Sequence, residues 1–337
     1  MKNQALVEID NLTVHFKTID GIAKVLKEVS LKVGEGELVG LVGESGCGKS
    51  VTTKALLGTL SVPPAIIEDG RINFLGKELL GLPRMERVIV QQSIGYIPQD
   101  PMTSLNPVFT IGEIMVDSVV WQMSDMHLGR YLYKRRIRTV KKTAKERAVE
   151  FLDKMHIPDP RSILSKYPSE LSGGMRQRIL IAMALLSDPV MIIADEPTTA
   201  LDVTIQAQVL TLMRRLVQQK GTAMILITHD IALVGQFCDR IGVMYAGRLV
   251  EKGAKEEVIT RPLHPYTQGL IASIPGRQER RRRLRQIPGM MPNLIGLPEG
   301  CPFLPRCDQA GEDCRQRPAL AEVAPGHQVA CFRRQGR

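Results

Sequence analysis

Residues 37–50 read ELVGLVGESGCGKS, and Gly43-Glu-Ser-Gly-Cys-Gly-Lys-Ser50 within them fits the pattern GxxxxGK[ST] once in the chain. Residues 37–42 form a short apolar run, which predicts a strand buried on both faces. From about residue 49 to 58 the pattern becomes that of a helix. Glycines at 43, 46 and 48 let the connecting backbone curl so that successive N–H groups face an anion. The N–H groups that open the helix add further donors. Lys49 is suited to bridge terminal phosphates and Ser50 to ligate Mg²⁺. The predicted nucleotide contacts are Gly43, Ser45, Gly46, Cys47, Gly48, Lys49, Ser50 and Val51.

Working outward from this loop, residues 5–16 alternate loosely and residues 25–33 clearly, with Val25, Val29, Leu31 and Val33 apolar. Both read as half-exposed strands joined by a turn near Asp20 and Gly21. Residues 93–98 (SIGYIP) end another strand, and from about 111 to 186 helical spacing dominates. Ala144, Ala148, Phe151, Leu152 and Met155 fall on one helical face. Strand signals return at 190–194 (VMIIA) and 223–228 (AMILIT), with an amphipathic helix at 205–216 between them. A further strand at 241–244 precedes the turn Ala246-Gly247. The expected class is α/β, with a mixed sheet and an inserted helical subdomain. Residues 262–337 hold many prolines, an arginine run at 280–283 and few long apolar segments, too little for a conventional core.

Charge and composition limit the function. The chain has 337 residues and a formal charge of +10, and residues 130–147 hold nine Lys or Arg against Glu146. With one Trp, six Tyr and no interleaving of aromatic and basic residues, no stacking platform for nucleic acid is indicated. The basic stretches read instead as a solvated helix face and a linker. No segment approaches the roughly 20 apolar residues needed to cross a bilayer. The first residues lack a signal-like apolar core, and six cysteines are too sparse for a disulfide-built secreted domain. The expected site of action is the cytosol.

A second chemical element is Val190-Met-Ile-Ile-Ala-Asp-Glu-Pro197, a hydrophobic strand that ends in two carboxylates. Strand alternation sends their side chains in different directions, so they suit different tasks. Asp195 is assigned to Mg²⁺, and Glu196 to the base that orients and deprotonates the attacking water. With the loop, this makes a P-loop ATPase that binds ATP and Mg²⁺.

Leu171-Ser-Gly-Gly-Met-Arg-Gln-Arg178 narrows the class: here the chain resembles the nucleotide-binding subunits of ABC transporters. The resemblance implies that Ser172, Gly173 and Gly174 bind the γ-phosphate of ATP held by an opposing subunit. Met175 stands where glutamine is commoner. It also assigns Gln99 to Mg²⁺ and water, Leu201-Asp202 to the dimer contact, and His229 to the γ-phosphate. Phe16 is the candidate to stack on adenine. The implied architecture is an ABC ATP-binding domain over 1–260, with the helical subdomain at about 105–186, and a C-terminal extension over 261–337.

Gln99-Asp-Pro-Met-Thr-Ser-Leu-Asn-Pro107, the run from Asp195 to Gln208 (DEPTTALDVTIQAQ) and His264-Pro-Tyr-Thr-Gln268 are similar to the dipeptide/oligopeptide importer ATPases. That group also serves nickel and glutathione. The resemblance implies a second ATPase chain, two permeases, an extracytoplasmic solute-binding protein and work at the cytoplasmic face of the membrane, with no nucleic acid. ABC ATPases that act on ribosomes usually carry two ATP domains, whereas this chain has one phosphate loop and one signature. Cys301, Cys307, Cys314 and Cys331 have spacings x5, x6 and x16, which match neither paired zinc cysteines nor a ferredoxin run. As residues, four thiolates suit Zn²⁺ or an iron–sulfur cluster. The resemblance implies a [4Fe–4S] cluster, with Zn²⁺ as the alternative, in a metal-bound tail.

Overall fold

The computed structural model describes residues 5–123, 130–186, 188–198, 203–274 and 286–335. The chain divides into two compact units, Met1–Pro83 with Ile225–Arg337, and Arg84–Met224. Among the described residues, no helix is long and apolar enough to cross a membrane.

In the first unit, strand Val7–Thr18 pairs antiparallel with Gly21–Val33 on one side and Ala65–Phe74 on the other. The hairpin turns at Thr18↔Gly21, where the sequence predicts it. Alternation puts Leu12, Val14, Leu26, Val29 and Ile72 in the core with essentially no exposure. A second, mixed sheet is built around Leu38–Val42, which runs parallel to Arg240–Tyr245. The latter turns at Ala246-Gly247, both at positive φ, and pairs antiparallel with Arg248–Ala254. Every residue of Leu38–Val42 is buried, as its unbroken apolar run requires.

The second unit contains the parallel pair Ile94–Ile97 and Met191–Asp195, again buried throughout in the latter. Its helices include Ile111–Met123, Arg130–Lys154, Gly173–Leu186 and Val203–Lys220. Ala144, Ala148, Phe151, Leu152 and Met155 are all buried, so the predicted helical face is the packed one. The helix bearing it starts at Arg130, far ahead of the apolar periodicity, because its first turns are basic and carry no period to read.

The tail is where expectation and structure part. Among the described residues, no group of three or more His, Cys, Asp or Glu is placed to hold a metal ion. This overturns the expected [4Fe–4S] cluster at Cys301, Cys307, Cys314 and Cys331, the alternative Zn²⁺, and the metal-bound character of the tail. All four are free cysteines around one cavity of about 10 Å³, room for roughly one water. Burial raises the pKa of Cys301 to about 11 and also moves those of Cys307 and Cys331 upward, so these thiols are neutral in the tail as it stands.

The tail is held instead by borrowing the core of the first unit. Strand His327–Val329 adds to the edge of Arg248–Ala254 and Ala321–Ala324 adds to it in turn. Fully buried Glu251 accepts the backbone N–H groups of Leu263 and His264, each at 2.9 Å, and lies 2.8 Å from His327 Nε2. Phe303 packs on Tyr245 and Tyr266 with ring centroids 5.2 and 5.5 Å away. A segment poor in apolar residues needs no core of its own when it extends a sheet and inserts an aromatic into an existing one.

Candidate nucleotide-binding site

Leu38–Val42 enters the phosphate loop and helix Lys49–Leu56 leaves it. Gly48 precedes that helix at φ +108°, and a Cβ there would stand 2.6 Å from the Leu26 side chain and 3.0 Å from Val25 O. At Gly43 a Cβ would stand 2.2 Å from Met244 O. Glycine is therefore a steric requirement at both positions. Lys49 is 5% exposed, and its Nζ donates to Gly43 O at 2.6 Å and Glu44 O at 3.0 Å. Among the described residues no carboxylate pairs with it. A buried ammonium answered by two carbonyls and a thiol sulfur, with no counter-charge, inside a backbone curl, fits a polyphosphate.

Around this lysine, Cys47 is a fully buried filler whose thiol is pushed up by burial. Ser45 and Gly46 form the exposed rim, and Ser50 and Val51 are half-buried in the first helical turn. Phe16 is half-buried on the central strand of the antiparallel sheet, paired with Ala23 and Ala65. His229 follows strand Ala223–Thr228 at an exposed position. Behind it, Thr228 Oγ1 accepts the Asp230 N–H at 3.1 Å, and Asp230 caps the next helix by accepting from Ala232 N–H at 2.8 Å.

In the second unit, Asp195 and Glu196 end the buried strand at 3% and 9% exposure. Glu196 has φ +47°, a left-handed conformation uncommon outside glycine. Gln99 Nε2 donates to Glu196 Oε2 at 3.2 Å, so two predicted site residues come together. Ser172 is exposed, and its Oγ accepts the Met175 N–H at 3.3 Å, capping helix Gly173–Leu186. A Cβ at Gly173 would meet nothing within 4 Å, so this helix start opens to free space. Asp202 and Leu201 lie outside the described residues. Ser50 in the first unit and, separately, Asp195 and Gln99 in the second carry oxygen donors of the hard kind that Mg²⁺ prefers. Bound Mg²⁺–ATP would supply the phosphoanhydride to be cleaved and the metal charge that screens it.

Three residues of the loop's surroundings escaped the sequence reading. Glu44, a variable position of the loop pattern, accepts both arms of Arg306, at 2.9 Å from Nη1 and 3.0 Å from Nη2. Its backbone N–H donates to Tyr266 Oη at 2.9 Å. Arg306 also donates from Nε to Pro288 O at 2.7 Å and from Nη1 to Tyr245 Oη at 3.3 Å. The tail thus fixes the second residue of the phosphate loop by a fork and a phenol. Tyr266 lies inside the His264–Gln268 motif, Glu44 inside the loop pattern and Arg306 beside Cys307, but nothing along the sequence pairs them.

Replacing Arg306 by Met should remove the fork and leave Glu44 without its partner. A loss of about 1–3 kcal/mol in stability is expected, seen as a lower Tm together with weaker ATP binding. Lysine, with one point charge in place of two parallel donors, should restore only part of either. Unchanged melting and unchanged ATP affinity in the Met variant would show that the fork is incidental.

A family model described as ABC transporter matches residues 26–199, and one described as oligopeptide/dipeptide transporter, C-terminal region, matches residues 250–314. The chain belongs to the ATP-binding subunits of the oligopeptide/dipeptide ABC importers. This importer ATPase is 43% identical to the oligopeptide transport ATP-binding protein OppD of Salmonella typhimurium, over 97% of this chain and 93% of that protein. It is 41% identical to the dipeptide transport ATP-binding protein DppD of Escherichia coli, over 97% and 96%. Among solved structures, a post-hydrolysis dimer of the ATP-binding cassette MJ0796 bound to ADP and Pi matches with a TM-score of 0.63. Identity there is 26%, over 74% of this chain and 98% of that one. Membership carries ATPase activity of the ABC type and a place in a multisubunit importer.

Proposed function

We propose that this importer ATPase works at the cytoplasmic face of a bacterial membrane and drives uptake of di- or oligopeptides. Two permeases, a second and different ATPase chain and an extracytoplasmic solute-binding protein complete the system. The observation that carries the reading is identity with peptide importer ATPases along nearly the whole chain, tail included. In this reading Lys49 and the loop N–H groups hold the β- and γ-phosphates, and Ser50 and Asp195 hold Mg²⁺. Glu196 takes the proton of the attacking water, with Gln99 and His229 orienting it, and Phe16 lies against the adenine. Ser172, Gly173 and Gly174 close on the nucleotide of the opposing chain, with Asp202 at the contact between the two. ATP then joins the pair, and hydrolysis releases it.

The test is reconstitution of the full complex in proteoliposomes with a loaded binding protein. Peptide is expected to stimulate ATP hydrolysis and to accumulate inside. Stimulation by nickel or glutathione, with none by peptide, would assign the engine to another solute. Stimulation by RNA or DNA would overturn the importer reading.

The role given to Ser172 makes a separate demand. Ser172→Ala should leave ATP affinity of the isolated chain nearly unchanged, because its phosphate belongs to the opposing subunit. ATP-dependent dimerisation, followed by light scattering in the Glu196→Gln background, should weaken by roughly tenfold, the effect of one lost charge-assisted hydrogen bond. Loss of ATP binding by the isolated chain, with dimerisation intact, would reverse the assignment.

A further inference from the structure

A cavity of about 250 Å³ lies among the strands Gly21–Val33 and Arg248–Ala254 and the tail, all within the first unit. No residue of the phosphate loop lines it, so it is distinct from the nucleotide cradle. Its wall carries four cationic side chains, Lys27, Arg248, Lys252 and Arg317, against one carboxylate, Glu28. His264, also on the wall, is held neutral by burial, with its pKa lowered to about 3.

The protein answers these cations only in part, with one rim carboxylate and two backbone carbonyls. Lys27 is 9% exposed, and its ammonium has neither a hydrogen bond nor an ion pair among the described residues. Its backbone N–H is used by Gly247 O at 2.9 Å. The Nε atoms of Arg248 and Arg317 are buried with no hydrogen-bond partner. Arg248 reaches Glu28 through Nη1 at 3.0 Å, but that carboxylate is 64% exposed at the rim. Arg317 Nη2 reaches only Pro298 O at 3.3 Å, and Lys252 Nζ only Ser30 O at 3.3 Å.

Two guanidinium Nε atoms are withdrawn from water without a partner, and the ammonium of the largely buried Lys27 opens to the cavity with no carboxylate beside it, an arrangement that is costly while the cavity holds no anion. The strain is visible at Lys27, whose pKa falls to about 8, first through burial and then through Arg317, Lys24 and Arg248. What the cavity lacks is negative charge. A single carboxylate would neutralise one of the uncompensated cations, whereas a phosphate brings up to two charges and three acceptor oxygens. Two guanidinium forks and an ammonium are the donors that recognise such a group.

We propose that this cavity binds a phosphate group carried by a small soluble molecule, with Lys27, Arg248 and Arg317 as its donors. The volume exceeds the needs of the phosphate itself and leaves room for the rest of a small ester. The site lies against the tail that fixes Glu44, so its occupant would stiffen the body-to-tail junction.

The experiment uses the full chain carrying Lys49→Ala, so that the nucleotide cradle does not compete. Calorimetry and thermal melting are run at constant ionic strength with three probes: inorganic phosphate, glycerol phosphate, and phosphatidylcholine vesicles containing phosphatidic acid. Phosphate and glycerol phosphate should bind and raise the Tm. Adding Lys27→Met or Arg317→Met should weaken that binding by roughly tenfold or more. In phosphate-free buffer Lys27→Met should melt no lower than its parent, because it removes an unpaired charge crowded by Arg317, Lys24 and Arg248. This also reports that the variant is folded. Equal binding with and without Lys27→Met, a response matched by chloride, or binding to vesicles alone would overturn the proposal. So would a Lys27→Met chain that is less stable in phosphate-free buffer, since the ammonium would then already have a partner in the protein.

Discussion

Glu196→Gln should leave ATP binding intact while steady-state hydrolysis falls by about 10²–10⁴-fold, the range typical of a lost general base. The substitution keeps the shape of the side chain and its acceptor oxygen toward Gln99 Nε2, now 3.2 Å from a carboxylate oxygen. What it removes is the ability to take a proton. Glu196 stands at the end of a strand buried at every position, so its backbone is fixed by the core. It adopts φ +47°, where a left-handed turn re-aims a side chain that strand geometry would have sent elsewhere. An amide at that position can hold water but cannot activate it, and the ATP-bound state should accumulate. The measurement is phosphate release by the reconstituted complex, beside nucleotide binding on the isolated chain. Hydrolysis within about twofold of wild type would falsify the role of Glu196 as base.

Lys49→Ala acts at an earlier step and should weaken ATP binding itself, by about 10- to 100-fold, the worth of a charge-assisted contact in a partly desolvated site. The lysine is 5% exposed and makes its own hydrogen bonds only to Gly43 O and Glu44 O, besides an approach of 3.8 Å to Cys47 Sγ. Nucleotide would therefore draw the ammonium from loop carbonyls to phosphate oxygens, an exchange that alanine cannot make. The nucleotide-free protein should also lose about 1 kcal/mol of stability, because Gly43 O gives up a buried donor. Calorimetric titration of ATP into the isolated chain decides the matter, and unchanged affinity would remove Lys49 from the phosphate site. The contrast with Ser172→Ala separates the two surfaces: one variant fails to bind nucleotide, the other binds it and fails to close on a partner.

How much of this was legible before the structure depended on how far apart in sequence the cooperating groups lie. The phosphate loop, the strand before it and the helix after it could be read directly, because consecutive backbone N–H groups make the cradle. The strand Ala223–Thr228 and the hairpin turn at Thr18–Gly21 followed from apolar runs and turn residues, both local signals. The signature Ser172-Gly-Gly could likewise be read, since a helix cap is built within four residues. The tail was misread for the opposite reason. Its four cysteines suggested a metal core because its own apolar content is low, whereas its fold depends on residues far upstream. Strand His327–Val329 finds its partner in Arg248–Ala254, Phe303 finds Tyr245, and Arg306 finds Glu44 across 262 positions. The sequence by itself determined the local chemistry: an anion cradle, a strand ending in two carboxylates, a capped helix start. Only the tertiary structure decided what holds the tail and which cations around Lys27 are answered only in part. Burial and pairing are properties of residues brought together from distant parts of the chain, and no periodicity along the sequence encodes them.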